Sequence, residues 1–122
     1  MPFTVACDFD GTLAEDAFPG IGAPKEDVIR KVLQLQEAGA DIVLWTCRER
    51  EHLEEAVKFC EDHGIKLAAV NDNTPARKEK ITEDNFYAQH KIHANIYVDD
   101  KSPGSIEFFV QIDAEKTCQN YD

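Results

Sequence analysis

Basic residues are scarce in this chain. Lysine and arginine number 13 against 24 aspartates and glutamates, a formal net charge of −11 over 122 residues. Sequence-independent binding of nucleic acid, or of an anionic membrane surface, draws on clustered basic side chains, so this balance disfavours both as partners. Long hydrophobic runs are missing too: no stretch approaches the ~20 apolar residues of a membrane-spanning helix. The first residues pass straight into a strand pattern with no basic lead or cleavage site, so no signal peptide is expected. The four cysteines, Cys7, Cys47, Cys60 and Cys118, include no CxxC pair. They are expected as reduced thiols of a cytoplasmic protein, not as a disulfide framework. There are no repeats and no low-complexity segments. What is present, 43% hydrophobic and 30% charged residues, suits an ordinary globular domain. The length predicts a single domain over 1–122, with 113–122 as a tail to which the pattern assigns no element.

Strand and helix signals alternate along the chain. Phe3 to Cys7 reads as a buried strand, and Lys25 to Ala38 as a helix with Val28, Ile29, Val32 and Leu33 on one stripe, entered through Pro24 and closed by Gly39. Asp41 to Trp45 is a second buried strand. Glu51 to His63 places Leu53, Ala56, Val57 and Cys60 at helical spacing before Gly64. Leu67 to Val70 is a third strand, Asn71 to Pro75 a turn cluster, 76–90 a mixed stretch read as a helix, and Ala94 to Val98 a fourth strand. The apolar run Ile106 to Ile112 fits a fifth strand or a short helix. Such β-α-β spacing predicts an α/β, three-layer Rossmann-like fold with a mostly parallel sheet of four to five strands.

Ligands of open parallel sheets bind beyond the carboxyl ends of the strands, and three of these ends carry polar chemistry. The first runs into Cys-Asp-Phe-Asp-Gly-Thr-Leu (Cys7 to Leu13), the second into Thr46-Cys47-Arg48, the fourth into Asp99-Asp100. Asp8 and Asp10 stand one residue apart, where successive strand side chains point to opposite faces. They can converge only if the backbone leaves its extended path, which Gly11 permits. Carboxylates so close repel unless a cation lies between them, and oxygen ligands suit a hard ion such as Mg²⁺. Taken singly, an acidic turn or a threonine that caps the next helix explains each feature. Their occurrence together at one sheet edge is harder to explain that way.

In these residues the chain resembles the haloacid dehalogenase superfamily of phosphohydrolases. Asp8-Phe-Asp-Gly-Thr-Leu13 matches its first motif, Leu44-Trp-Thr-Cys-Arg48 its second, and Tyr97-Val-Asp-Asp100 its fourth, and the resemblance spans about residues 3–101. It implies a Mg²⁺-dependent phosphatase in which Asp8 attacks phosphorus and forms an aspartyl-phosphate. Asp10 would act as general acid and then base, its backbone carbonyl also facing the metal. Family dehalogenases lack that second aspartate and need no metal, so Asp10 points to phosphoryl transfer. Thr46 would donate to a phosphoryl oxygen. Asp100 would ligate Mg²⁺ directly, with Asp99 bound through water or orienting it. The third-motif cation has two candidates. Lys80, with Lys78 nearby, opens a helix expected to face the site. Lys91 matches short relatives, yet an extended 91–95 would place it ~16 Å from Asp99. Arg48 is a further candidate to clamp a substrate anion, or else to pair with Glu49 or Glu51.

Between Ala14 and Ala40 there is room for only a short flap (Glu15 to Ala23) and a helix, so a capless member is implied, its site open or closed by a neighbouring subunit. Phe18 and Pro19 could line that site. The implied substrate is a phosphorylated small molecule. A polynucleotide-end phosphatase of the same chemistry is compatible with the open site but disfavoured by charge. A phospho-receiver module also groups acids, threonine and lysine at strand ends. It would need its phosphorylated aspartate after the third strand, where only Asp72 is at hand.

Overall fold

Val5, Cys7, Ile42, Leu44 and Val98 alternate with their neighbours along three strands, and all five are buried in one apolar cluster. This alternation builds the molecule, known here from a computed structural model that describes residues 2–80 and 91–119. Strands β1 (Thr4–Cys7), β2 (Asp41–Leu44), β3 (Leu67–Val70) and β4 (Ile96–Val98) form one parallel sheet in the order 3-2-1-4.

Helix α1 (Glu26–Glu37) opens with Glu26 and Asp27, whose charges favour a helix amino end. It buries Val28, Ile29, Val32 and Leu35 against the sheet cluster. Helix α2 (Arg50–Asp62) adds Ala56, Phe59 and Cys60 to the same layer. Both crossovers step the same way along the sheet, so right-handed connection puts their helices on one face. Helix α4 (Ser105–Gln111) buries Phe109 beside them. Helix α5 (Ala114–Gln119) packs on α1, and Lys31 reaches across to the Ile112 carbonyl. On the opposite face Thr4, Ala6 and Val43 are also buried. There α3 (Pro75–Lys78) sends Arg77 to Thr4 Oγ1 at 2.9 Å and Asn95 Oδ1 at 2.8 Å. The result is a three-layer α/β fold of the Rossmann type, with no separate cap domain among the described residues.

Several boundaries differ from those expected. The sheet has four strands among the described residues, because Ile106 to Ile112 takes the helical alternative: Gly104, at φ +79, turns the chain directly into α4. Residues 114–119, given no element from sequence, are helical. Of the helix expected over 76–90, the described part is α3 alone, and 81–90 lie outside the described residues. Strand β4 starts at Ile96 rather than Ala94. No helix among the described residues is long and apolar enough to cross a membrane.

Candidate active site

Cys7 pairs in register with Leu44 on one side and Val98 on the other, which brings Asp8, Trp45 and Asp99 level at the carboxyl edge. The ladder continues past the strands. Asp8 N–H donates to the Val98 carbonyl at 3.0 Å, Trp45 N–H to Cys7 at 2.9 Å and Asn71 N–H to Leu44 at 2.7 Å. A cavity of about 270 Å³ opens there, lined by Asp8, Trp45, Thr46, Cys47 and Asp99. Thr46 is oriented from two sides: its N–H donates to Asn71 Oδ1 at 2.8 Å, and its hydroxyl oxygen accepts from Arg48 N–H at 3.2 Å.

Asp8 is half-buried, and its Oδ1 accepts the Phe9 N–H at 2.8 Å. Burial pushes its carboxyl up to about 6, and the charges of Asp100, Asp99 and Asp10 push the same way against that hydrogen bond. Asp100 is the strongest of the three. Its position explains the glycine of the first motif. Gly11 sits at φ +82, and a Cβ there would lie 2.2 Å from Asp100 Oδ2. The glycine thus makes the turn and clears the space for the acid from β4. Asp100 Oδ1 is buried with no hydrogen-bond partner, while Lys101 Nζ stands 3.5 Å from Oδ2. Asp99 is more fully occupied. Its Oδ1 accepts from Lys101 and Ser102 N–H, and its Oδ2 from Ser102 Oγ, so it holds the turn after β4 while lining the cavity.

Asp10 and Arg48 meet each other. The guanidinium, 2% exposed, holds both Asp10 oxygens, Nε to Oδ2 at 2.8 Å and Nη2 to Oδ1 at 2.7 Å. It also donates to the carbonyls of Pro19 (3.2 Å) and Gly20 (2.6 Å), and stacks 5.0 Å from the Phe9 ring centre and 5.1 Å from that of Phe18. Arg48 therefore bonds inward to Asp10 and the flap, not to Glu49 or Glu51, and neither it nor Asp10 lines the cavity. Phe18 likewise packs on Arg48 and, edge-on at 5.5 Å, on His52, with 57% of it exposed.

The lysines separate. Lys80 lies past Arg77, whose side chain already reaches Thr4 and Asn95 at the amino ends of β1 and β4. Lys91 lies elsewhere than an extended 91–95 requires. Asn73, buried after β3, donates to the Lys91 carbonyl at 2.8 Å and accepts from His93 N–H at 2.6 Å. Those bonds fold 91–93 back toward the end of β3, and Lys91 Nζ comes 5.6 Å from the Tyr97 ring centre. There it lines a second cavity of about 320 Å³ with Trp45, Asn71, Asp72, Asn73, Ile92 and Tyr97. Trp45 belongs to both cavities. Asp72 is outside the first one, and its carboxylate, held below the usual range chiefly by the hydrogen bond from Lys78, is an ion-pair partner. The Asn73 bridge to the backbone of 91–93 and the Arg48–Asp10 pair are what the sequence reading missed. An isolated asparagine in a turn cluster carried no signal of that bridge.

Among the described residues, no group of three or more His, Cys, Asp or Glu side chains stands at metal-holding geometry. The donor chemistry nonetheless fits a hard cation. A buried Asp100 oxygen has no partner, and Asp8 is destabilised as an anion by burial first and by its acidic neighbours after that.

No family model matches the chain, and no curated protein matches it. A solved structure is similar over almost the whole length: a conserved protein coded by a locus of Bacteroides thetaiotaomicron. It has 28% identity and a TM-score of 0.70, over 98% of this chain and 88% of that one.

Proposed function

We propose that the protein is a Mg²⁺-dependent phosphohydrolase of the haloacid dehalogenase type, acting on phosphomonoesters through an aspartyl-phosphate on Asp8. The topology is consistent in general with such hydrolases. The observation that carries the reading is the cavity at the sheet edge, where Asp8 faces Thr46 and Asp99. Asp8 Oδ1 is engaged by the Phe9 N–H, which leaves Oδ2 to attack phosphorus. A carboxylate pushed up to about 6 is largely ionised at neutral pH yet poorly solvated, a combination that favours nucleophilicity. As the bond between phosphorus and the alcohol oxygen breaks, Asp10 gives that oxygen a proton, then takes one from the water that cleaves the acyl phosphate. Both Asp10 oxygens accept from Arg48, so one of those contacts must open and Asp10 must take up a proton from solvent before it serves as the acid. The Thr46 hydroxyl donates to a phosphoryl oxygen, and Lys91, in the neighbouring cavity that shares Trp45, is our candidate for the third-motif cation. Asp8 and Asp100, with the Asp10 carbonyl, would hold Mg²⁺. The ion would offset the repulsion among these acids and the charge of the phosphoryl group.

A phosphate-release screen over a broad phosphomonoester panel, with and without Mg²⁺, tests the reading. Expected are Mg²⁺-dependent turnover, its abolition by Asp8→Asn, and inhibition by beryllofluoride, which mimics the acyl phosphate. Turnover by Asp8→Asn above a few per cent of the unmutated rate, or no turnover of any ester, would refute it.

A further inference from the structure

Trp45 is the chain's only tryptophan, and 42% of it is exposed at the wall shared by the two cavities. An indole this open keeps much of its ring outside the core, yet it is held by a neighbouring ring. The Tyr97 ring meets it edge-on at 5.7 Å and 68°. Tyr97 is fixed in turn at its hydroxyl, which donates to the Ile92 carbonyl at 2.6 Å and accepts from Ala94 N–H at 3.1 Å. A preordered aromatic face is a stacking surface that loses little entropy when a flat ring settles on it. The rim is polar. Asn71 spends its Oδ1 on Thr46, which leaves its amide NH₂ as a donor. A wall of one exposed indole with an amide donor beside it suits a ring bearing acceptor nitrogens or carbonyls better than an aliphatic chain or a plain phenyl group.

We infer that the second cavity is a subsite for a heteroaromatic ring carried by the leaving alcohol, and that the preferred substrates are nucleoside-monophosphate-like esters with the base against Trp45. The inference rests on the phosphatase reading for its anionic end only. With the phosphoryl group over Asp8, the alcohol extends past Trp45 into the space lined by Asn71, Lys91 and Tyr97.

The single tryptophan supplies a direct readout. Asp8→Asn, which cannot turn over substrate, is titrated with adenosine, adenosine 5′-monophosphate and ribose 5-phosphate in Mg²⁺, with excitation at the red edge of indole absorption. Saturable quenching by the two adenine compounds but not by ribose 5-phosphate is expected. In steady-state assays, Trp45→Leu should shift the ratio of kcat/KM for adenosine 5′-monophosphate over ribose 5-phosphate by about five- to a hundredfold toward the sugar phosphate, the range for losing one base stack. Equal quenching by ribose 5-phosphate, no quenching by adenosine, or an unchanged ratio in Trp45→Leu would overturn the subsite. If adenosine quenches while no ester is hydrolysed by the unmutated protein, the ring subsite stands and the phosphatase reading falls.

Discussion

Replacing Arg48 by methionine tests a buried polar cluster beside the site. The guanidinium is almost wholly covered, and the Asp10 side chain it holds is 20% exposed. Methionine fills much of the same volume between Phe9 and Phe18 but removes the Arg48 donor from four groups: the Asp10 carboxylate and the carbonyls of Pro19, Gly20 and His52. Breaking one side of a buried ion pair costs about 3–5 kcal/mol, and the partial exposure of Asp10 argues for the lower end. In a domain of this size each kcal/mol moves Tm by roughly 3–5 °C, so a fall of roughly 10–15 °C is expected. Pairing the change with Asp10→Leu removes the stranded charge. The double variant should therefore melt above the sum of the single effects, with a coupling of about 1–3 kcal/mol in a double-mutant cycle. Calorimetric or urea melts of the four proteins measure this. A drop in Tm of less than about 3 °C in Arg48→Met, or strict additivity, would mean that water readily replaces Arg48 and that the pair does not hold the flap.

Gly11→Ala combines a left-handed backbone with a Cβ 2.2 Å from Asp100 Oδ2. It should cost about 1–2 kcal/mol from the backbone alone, and the rise of Tm with added Mg²⁺ should vanish, as read in thermal melts at graded Mg²⁺. Asp8 is raised in the folded state from 3.8 to about 6. Below about pH 4 both states hold its proton, and between there and about pH 6 only the folded state does. In chelator, stability should therefore fall as pH rises through that window, and Asp8→Asn should flatten the fall in urea melts; an unaltered slope would place the destabilisation elsewhere. Lys91→Ala should lower kcat by about 10²-fold, as for loss of one preorganised cation, with Lys80→Ala nearly silent. The reverse ranking in steady-state assays would restore Lys80.

The fold was legible because its signals are local. Apolar alternation in β1 and β2 and the helical stripe of α1 each follow from spacing within a dozen residues, and the parallel order follows from crossover handedness. The run at Ile106 to Ile112 was ambiguous because a short apolar stretch satisfies both periods. What decided it was Gly104 turning the chain into a helix that sinks Phe109 beside α1, a tertiary fact.

At the site, the acids were legible because the strand carries them to the edge whatever else the chain does. The cations were not, since a long side chain at the same edge can turn several ways. Arg48 sits two residues after Thr46, and spacing allowed it outward to a substrate, sideways to Glu49 or inward to Asp10. The flap carbonyls of Pro19 and Gly20 complete the inward arrangement, and they come from a segment some thirty residues earlier in the chain. Lys91 turned on a single side chain: Asn73 satisfies both its amide groups on the backbone of 91–93. Without that bridge the five residues before β4 could run extended and carry Lys91 to the far edge. With it they curl back beside Trp45. Asn73→Ala therefore perturbs the cation through its backbone: it leaves the Lys91 ammonium intact and removes what places it. If Lys91 serves the phosphoryl group, Asn73→Ala should reproduce the loss of kcat seen in Lys91→Ala, and the two losses should not add in the double variant. Additive losses would separate the bridge from the chemistry.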